Sequence, residues 1–121
     1  MKNILLIEDE EIMSGLLQKK LSDVGYKVTV ARDGEEGINL LKQEKPDLVL
    51  TDIVMPKKDG FEVLEAMKAD PQLSNIPVIV ISNSGQPVEL ERVKHLGARD
   101  WLIKTEFDPK EVIEKIKKII G

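Results

Sequence analysis

The chain contains no cysteine, so it has neither a disulfide framework nor a thiolate metal site. Its one histidine, His95, finds no second histidine or cysteine to join in binding a metal, and it reads as a surface residue of a helix. Long apolar runs are also missing. The opening stretch MKNILLIEDE turns acidic too soon for a signal peptide, and no later segment is long enough to span a membrane. No dense basic block precedes the C-terminal KIKK and the formal net charge is −4, so direct contact with nucleic acid is not expected. The first strand-to-helix turn, IEDEE, lacks the glycines of a phosphate cradle, which weighs against a nucleotide- or flavin-binding module.

What is present suits a folded unit. With 121 residues, 41% of them hydrophobic and 33% charged, the chain is long enough to bury a core as one domain over residues 1–121. A soluble, cytoplasmic protein without membrane contact is the expectation.

Apolar runs alternate with amphipathic segments five times. Asn3–Ile7, Lys27–Ala31, Asp47–Thr51, Val78–Ile81 and Trp101–Ile103 read as strands. Between them, Ile12, Leu16, Leu17, Leu21 and Val24 recur at helical spacing over residues 11–24, with Gly25 placed to end the helix. A second helix begins near Asp33, where Asp33 and Glu36 have capping-box spacing, and turns Ile38, Leu40 and Leu41 inward; its two glycines weaken it. Phe61, Leu64, Ala66 and Met67 mark a third helix, and residues 87–96 a fourth. Asp108 and Pro109 open a fifth that buries Val112, Ile113, Ile116, Ile119 and Ile120. This alternation implies an α/β fold with a parallel sheet covered on both faces. It suits the flavodoxin-like doubly wound arrangement of five strands in order 2-1-3-4-5 with five helices; that order belongs to known folds of this kind and does not follow from the pattern.

Polar residues gather where the strands end. The first strand runs into Glu8 and Asp9, the third into Asp52, the fourth into Ser82 and the fifth into Lys104. In such sheets ligands bind beyond the carboxyl ends of the strands. Three converging carboxylates repel one another, yet they offer the oxygen-rich site that Mg²⁺ accepts. A carboxylate can also act as a nucleophile and become an aspartyl-phosphate. A metal, a lysine and a hydroxyl would then share the charge of the phosphoryl group in transfer. Asp52, central among the acids, is the candidate nucleophile, and Glu8 and Asp9 would hold the metal. Bland alternatives stand beside these roles: Asp59-Gly60 as a helix start, Ser82 as a strand-end hydroxyl, Lys104 as a surface lysine, Trp101 as packing, and the lysines of KEVIEKIKKIIG as a solvated helix face.

LLIEDE at 5–10, TDIVMPKKDG at 51–60, PVIVIS at 77–82 and ARDWLIK at 98–104 resemble the receiver domains of two-component response regulators, above all the stand-alone, chemotaxis-type ones. The resemblance spans the whole chain and implies a phosphorelay switch. Asp52 would be the phospho-acceptor, taking its group from a histidine kinase or phosphotransfer protein. The resemblance also implies Mg²⁺ (or Mn²⁺) on Glu8, Asp9, Asp52 and the backbone carbonyl of Val54. Ser82 and Trp101 match the switch residues and Lys104 the phosphate-contacting lysine. Met55, Pro56 and Gly60 shape the loop beside the acceptor, and a downstream protein would read the switched surface.

By the same likeness the chain is no turnover enzyme beyond accepting and hydrolysing its own phosphoryl group. A phosphohydrolase of the D-x-D type would carry an acid where Val54 stands. A pseudo-receiver scaffold is the remaining alternative. Three positions depart from the family pattern: Thr105 after Lys104 in place of proline, Asn83 after Ser82 in place of a small residue, and Val54, which has no polar atom to orient a water. Val54 and Asn83 together predict slower loss of phosphate than in a variant with Asn at 54 and Ala at 83.

Overall fold

In the computed structural model, which describes residues 2–82, 87–104 and 108–121, five strands form one parallel sheet in the order β2-β1-β3-β4-β5. The elements are β1 (Asn3–Ile7), α1 (Glu11–Asp23), β2 (Lys27–Ala31), α2 (Gly34–Glu44), β3 (Leu48–Asp52), α3 (Gly60–Ala69), β4 (Val78–Ser82), α4 (Pro87–His95), β5 (Asp100–Ile103) and α5 (Pro109–Ile120). This is the doubly wound architecture expected from the sequence. No helix among the described residues is long and apolar enough to cross a membrane.

The near-continuous apolar strands separate into two cores by the two-residue period of a strand. Leu5, Ile7, Val49, Val78 and Val80 pack with Leu41, Val63, Leu64, Met67 and Val93, under α2, α3 and α4. Their neighbours Ile4, Leu6, Leu48, Leu50, Ile79, Ile81 and Leu102 pack with Leu17, Leu21, Val112 and Ile116, under α1 and α5. The same parity governs the polar residues that follow these runs and so decides which way each points at the rim.

Strand boundaries move slightly. The third strand begins at Leu48 and includes Asp52; Asp47, just before it, donates its backbone N–H to the Asn3 carbonyl at 2.8 Å and accepts from the Asn3 backbone N–H on its carboxylate at 2.7 Å. On α1 the inward stripe is Ser14, Leu17 and Leu21, whereas Ile12, Leu16 and Val24, which share its helical spacing, are exposed. The spacing holds, but Ile12 and Leu16 are an i, i+4 pair lying one position off that stripe. Gly25 follows the helix with φ 100°, the left-handed geometry suited to glycine.

The two glycines of α2, unfavourable by propensity, are explained by packing. A Cβ at Gly34 would lie 2.0 Å from the carbonyl oxygen of Lys58, and one at Gly37 would lie 2.5 Å from the Ile7 Cδ1. The helix thereby lies close against β1 and the loop after β3. The two obstacles differ in kind, since one is backbone and the other the end of a flexible side chain. Gly34→Ala is therefore expected to destabilise by roughly 2–3 kcal/mol, and Gly37→Ala by about 1 kcal/mol. Urea unfolding of both variants checks this, and equal costs would show that the Lys58 backbone yields as readily as the Ile7 side chain.

Candidate functional site

Parity places the rim residues. Continuing β1, Glu8 follows Ile4 and Leu6 onto the α1/α5 side, and its N–H extends the ladder to the Ala31 carbonyl at 2.9 Å. Asp52 follows Leu48 and Leu50 to that side, and Lys104 follows Leu102. Ser82 follows Val78 and Val80 to the other side, towards α4. Three of the four residues thus share a face, and the contacts agree.

The Lys104 ammonium lies 2.7 Å from Asp52 Oδ2, 2.5 Å from Glu8 Oε1 and 3.1 Å from Glu10 Oε1. Glu8 and Asp52 are 1% and 2% exposed. Asp9 is exposed, but its carboxylate joins theirs: one oxygen from each of Glu8, Asp9 and Asp52 lies within 4.8 Å of the others. Asp52 Oδ1 accepts from the Ile53 backbone N–H at 2.7 Å, which fixes the carboxylate plane and leaves Oδ2 turned to Lys104.

The electrostatics are those of an anionic cluster short of positive charge. Burial, reinforced by the neighbouring Asp52, pushes Glu8 up to about 8 in spite of the opposing effect of Lys104. Burial alone would lower the Lys104 ammonium, but its hydrogen bonds to Asp52 and Glu10 and its ion pair with Glu8 outweigh that and hold it above the usual lysine range. Lys104 contacts Glu8 as an ion pair without well-aligned hydrogen-bond geometry, and Glu8 Oε2 has no hydrogen-bond partner among the described residues. A buried, unpartnered carboxylate oxygen costs free energy that a ligand can recover. With two further carboxylates alongside, the donor set is all hard oxygen, which fits a small divalent cation.

The loop after β3 is built tightly around the acceptor. Met55 is buried in the α2–α4 core, while Pro56 is exposed. The Gly60 N–H donates to the Ile53 carbonyl at 2.7 Å, and a Cβ at Gly60 would lie 2.4 Å from the Asp52 carbonyl oxygen, so only glycine brings α3 this close to the aspartate. Asp59 caps α3 with a complete capping box to Glu62. Val54 stands on the surface at 68% exposure. Trp101 is partly buried against the α2–α4 core and not among the carboxylates. His95 is exposed. Asn83 and Thr105 lie outside the described residues.

Two acids were missed in the sequence. Glu10 reaches Lys104, and Glu89 on α4 accepts from the Ser82 hydroxyl at 2.9 Å. Glu10 had a visible signal, as the third acid of the IEDEE run on the same rim. Glu89 had none, because its role depends on how α4 is placed.

The family model of the response regulator receiver domain matches residues 4–117. The chain belongs to that family. Among curated relatives, this receiver domain is 37% identical over 119 residues to the probable transcriptional regulator ycf27 of Guillardia theta, covering 98% of the chain and 45% of the relative. It is 36% identical to the alkaline phosphatase synthesis transcriptional regulatory protein PhoP of Bacillus subtilis, covering 98% of the chain and 48% of the relative. The receiver thus spans about half the length of the curated relatives it matches.

Among solved structures, the chemotaxis protein CheY4 of Vibrio cholerae superposes with a TM-score of 0.92 at 26% identity, covering 99% of both chains. The receiver domain of the sensor histidine kinase PA1611 from Pseudomonas aeruginosa does so with a TM-score of 0.90 at 25% identity, covering 99% of this chain and 98% of that one. It was solved with a magnesium ion coordinated in its active-site cleft.

Proposed function

We propose that this receiver is a cytoplasmic phosphorylation switch. Asp52 accepts a phosphoryl group from the phosphohistidine of a histidine kinase or phosphotransfer protein, and the phosphorylated form is read by a downstream protein, without direct contact to nucleic acid or membrane. The observation that carries this reading is the buried Asp52, held through Oδ1 by the Ile53 N–H, with Oδ2 against Lys104 and inside a three-carboxylate cluster. Glu8, Asp9, Asp52 and the Val54 carbonyl would hold Mg²⁺ (or Mn²⁺), which when bound supplies the positive charge the cluster lacks.

The chain's own part in the transfer is positional and electrostatic. An Asp52 carboxylate oxygen attacks phosphorus as the bond from phosphorus to the donor's imidazole nitrogen breaks. The electron pair of that bond stays on the imidazole nitrogen, and because the other ring nitrogen carries a proton during the transfer the imidazole leaves as the neutral ring. Lys104, already 2.7 Å from Asp52 Oδ2, can follow the negative charge onto the phosphoryl oxygens. Hydrolysis by water later returns the free carboxylate, so the chain completes a cycle on itself and turns over no separate substrate.

The donor's docking surface would lie beside the rim. Ile12 is 89% exposed in the first turn of α1, directly after the acidic run, and Leu16 and Val54 are exposed as well. Apolar side chains set next to a reactive acid suit a partner that must bring its histidine to Asp52.

Acetyl phosphate with Mg²⁺ tests the reading. Intact mass should show the gain of one phosphoryl group, dependent on the metal and lost in Asp52→Asn, with a change in Trp101 fluorescence. If no adduct forms with acetyl phosphate or with phosphorylated phosphotransfer proteins, the pseudo-receiver scaffold is the better reading.

A further inference from the structure

We infer that Glu89 competes with the phosphoryl group for the Ser82 hydroxyl, so that phosphorylation at Asp52 breaks the Ser82–Glu89 hydrogen bond and releases the N-terminal half of α4. The inference rests on the phosphorylation reading and adds to it the residue that opposes the switch.

Ser82 ends β4 fully buried, with the parity that directs it to α4 and away from the face shared by Glu8, Asp52 and Lys104. Its Oγ donates to Glu89 Oε1 at 2.9 Å, and a serine hydroxyl has one proton to give. While Glu89 takes that proton, a phosphoryl oxygen on Asp52 cannot. A phosphoryl group carries more negative charge than a carboxylate and offers three acceptor oxygens, so it is the stronger claimant once it is present. Ser82 is the acceptor's neighbour at the rim, so that a rotation of its side chain would bring the hydroxyl round to the phosphoryl group: Asp52 pairs across the ladder with Ile81, the residue before Ser82, and the Ser82 carbonyl accepts from the Lys104 N–H at 2.7 Å.

The consequence falls on α4 because of where that helix is otherwise held. Val93 enters the core, Arg92 lies 3.9 Å over the Phe61 ring and 3.8 Å from Glu65, and Lys68 donates to the His95 carbonyl at 3.3 Å. All of these begin at residue 92. Of the side-chain hydrogen bonds and ion pairs named here among the described residues, the Ser82–Glu89 bond alone ties the first turn of α4 to the sheet. When Ser82 turns to the phosphoryl group, Glu89 loses its partner in a half-buried position and must seek water. The first turn moves with it, while the end beyond Arg92 stays seated.

The test is a thermodynamic cycle read with beryllium fluoride, which forms a phosphoryl-like adduct on a carboxylate, in the presence of Mg²⁺. Its binding is followed by fluorine NMR in the wild type, Glu89→Ala, Ser82→Ala and the double variant. Removing the competitor should tighten binding about tenfold, as expected for a hydrogen bond to a charged group, and the gain should vanish in the Ser82→Ala background. Unchanged or weaker binding by Glu89→Ala, or an equal gain without Ser82, overturns the inference. Should Glu89→Ala melt early, Glu89→Gln keeps the side-chain volume and decides by the same comparison at about half the logarithmic effect. A wild type that forms no adduct overturns the phosphorylation reading and this inference together, whereas adduct formation indifferent to Glu89 overturns only the latter.

Discussion

Lys104→Met is expected to bind Mg²⁺ at least tenfold more tightly than the wild type while accepting a phosphoryl group on the order of a hundredfold more slowly. The ammonium touches Asp52 Oδ2 and Glu8 Oε1, two of the oxygens a divalent cation would use. In the absence of metal it is their counter-ion, and a metal entering the cluster must displace it or bear its repulsion. Methionine keeps the apolar stem in its buried place, only 4% exposed in the wild type, and deletes the charge. Asp52, Asp9 and, once ionised, Glu8 then face one another with no cation between them, which favours any metal that arrives. The same deletion removes a donor aimed at the phosphoryl group, so chemistry slows although the metal binds better.

Stability should separate in parallel. Breaking a buried ion pair from one side costs about 3–5 kcal/mol, so the variant should melt well below the wild type in chelator and recover much of the loss in millimolar Mg²⁺. Metal affinity at or below the wild-type value would mean that Lys104 orders the carboxylates more than it competes for them.

The fold was readable because its signal is repeated. The inner strands β1, β3 and β4 are covered by helices on both sides of the sheet and so appear as apolar runs, the edge strand β2 alternates as KVTVA, and the strand–helix alternation recurs five times. The errors lie where one residue serves two purposes. Asp47 looked like strand and is a tether for Asn3. Ile12 and Leu16 have helical spacing but face solvent beside the rim, and apolarity alone does not tell a core stripe from a docking surface. Gly34 and Gly37 made the second helix look weak, although it is present, since the neighbours that require them, Lys58 and Ile7, are distant in sequence.

The site was legible in composition more than in geometry. Strand ends share a rim in any parallel sheet, so Glu8, Asp9, Asp52, Ser82 and Lys104 could be gathered without coordinates. Their division could not be read with the same ease. Parity sends Ser82 to α4 and the other buried residues to the opposite face, and it becomes informative only once the registers are known. Glu89 belongs to the site through a helix placement that no local pattern encodes.

Glu8 supplies the second large effect, a pH dependence that reverses sense between the metal-free and metal-bound forms. Its carboxyl is raised from 4.5 to about 8 in the fold, chiefly by burial. Between those values the folded state holds a proton that the unfolded state has released. Stability of the metal-free protein should accordingly fall as pH rises from about 5 to about 8 and level off above that. Below 4.5 both states are protonated and Glu8 contributes no slope. Mg²⁺ needs the ionised carboxylate, so its apparent affinity should climb about tenfold per pH unit through the same window and flatten above about 8. Metal and proton thus compete for one buried group. Glu8→Gln mimics the protonated form and should abolish both slopes, giving a metal-free protein as stable at pH 8 as at pH 6 and with little affinity for Mg²⁺ at either. Thermal melts in chelator, paired with Mg²⁺ titrations followed by Trp101 fluorescence across pH 5–9, measure the two slopes on one sample. If Mg²⁺ affinity stayed flat over that range while Glu8→Gln still bound poorly, Glu8 would be ionised throughout, with Lys104 outweighing burial as its dominant neighbour.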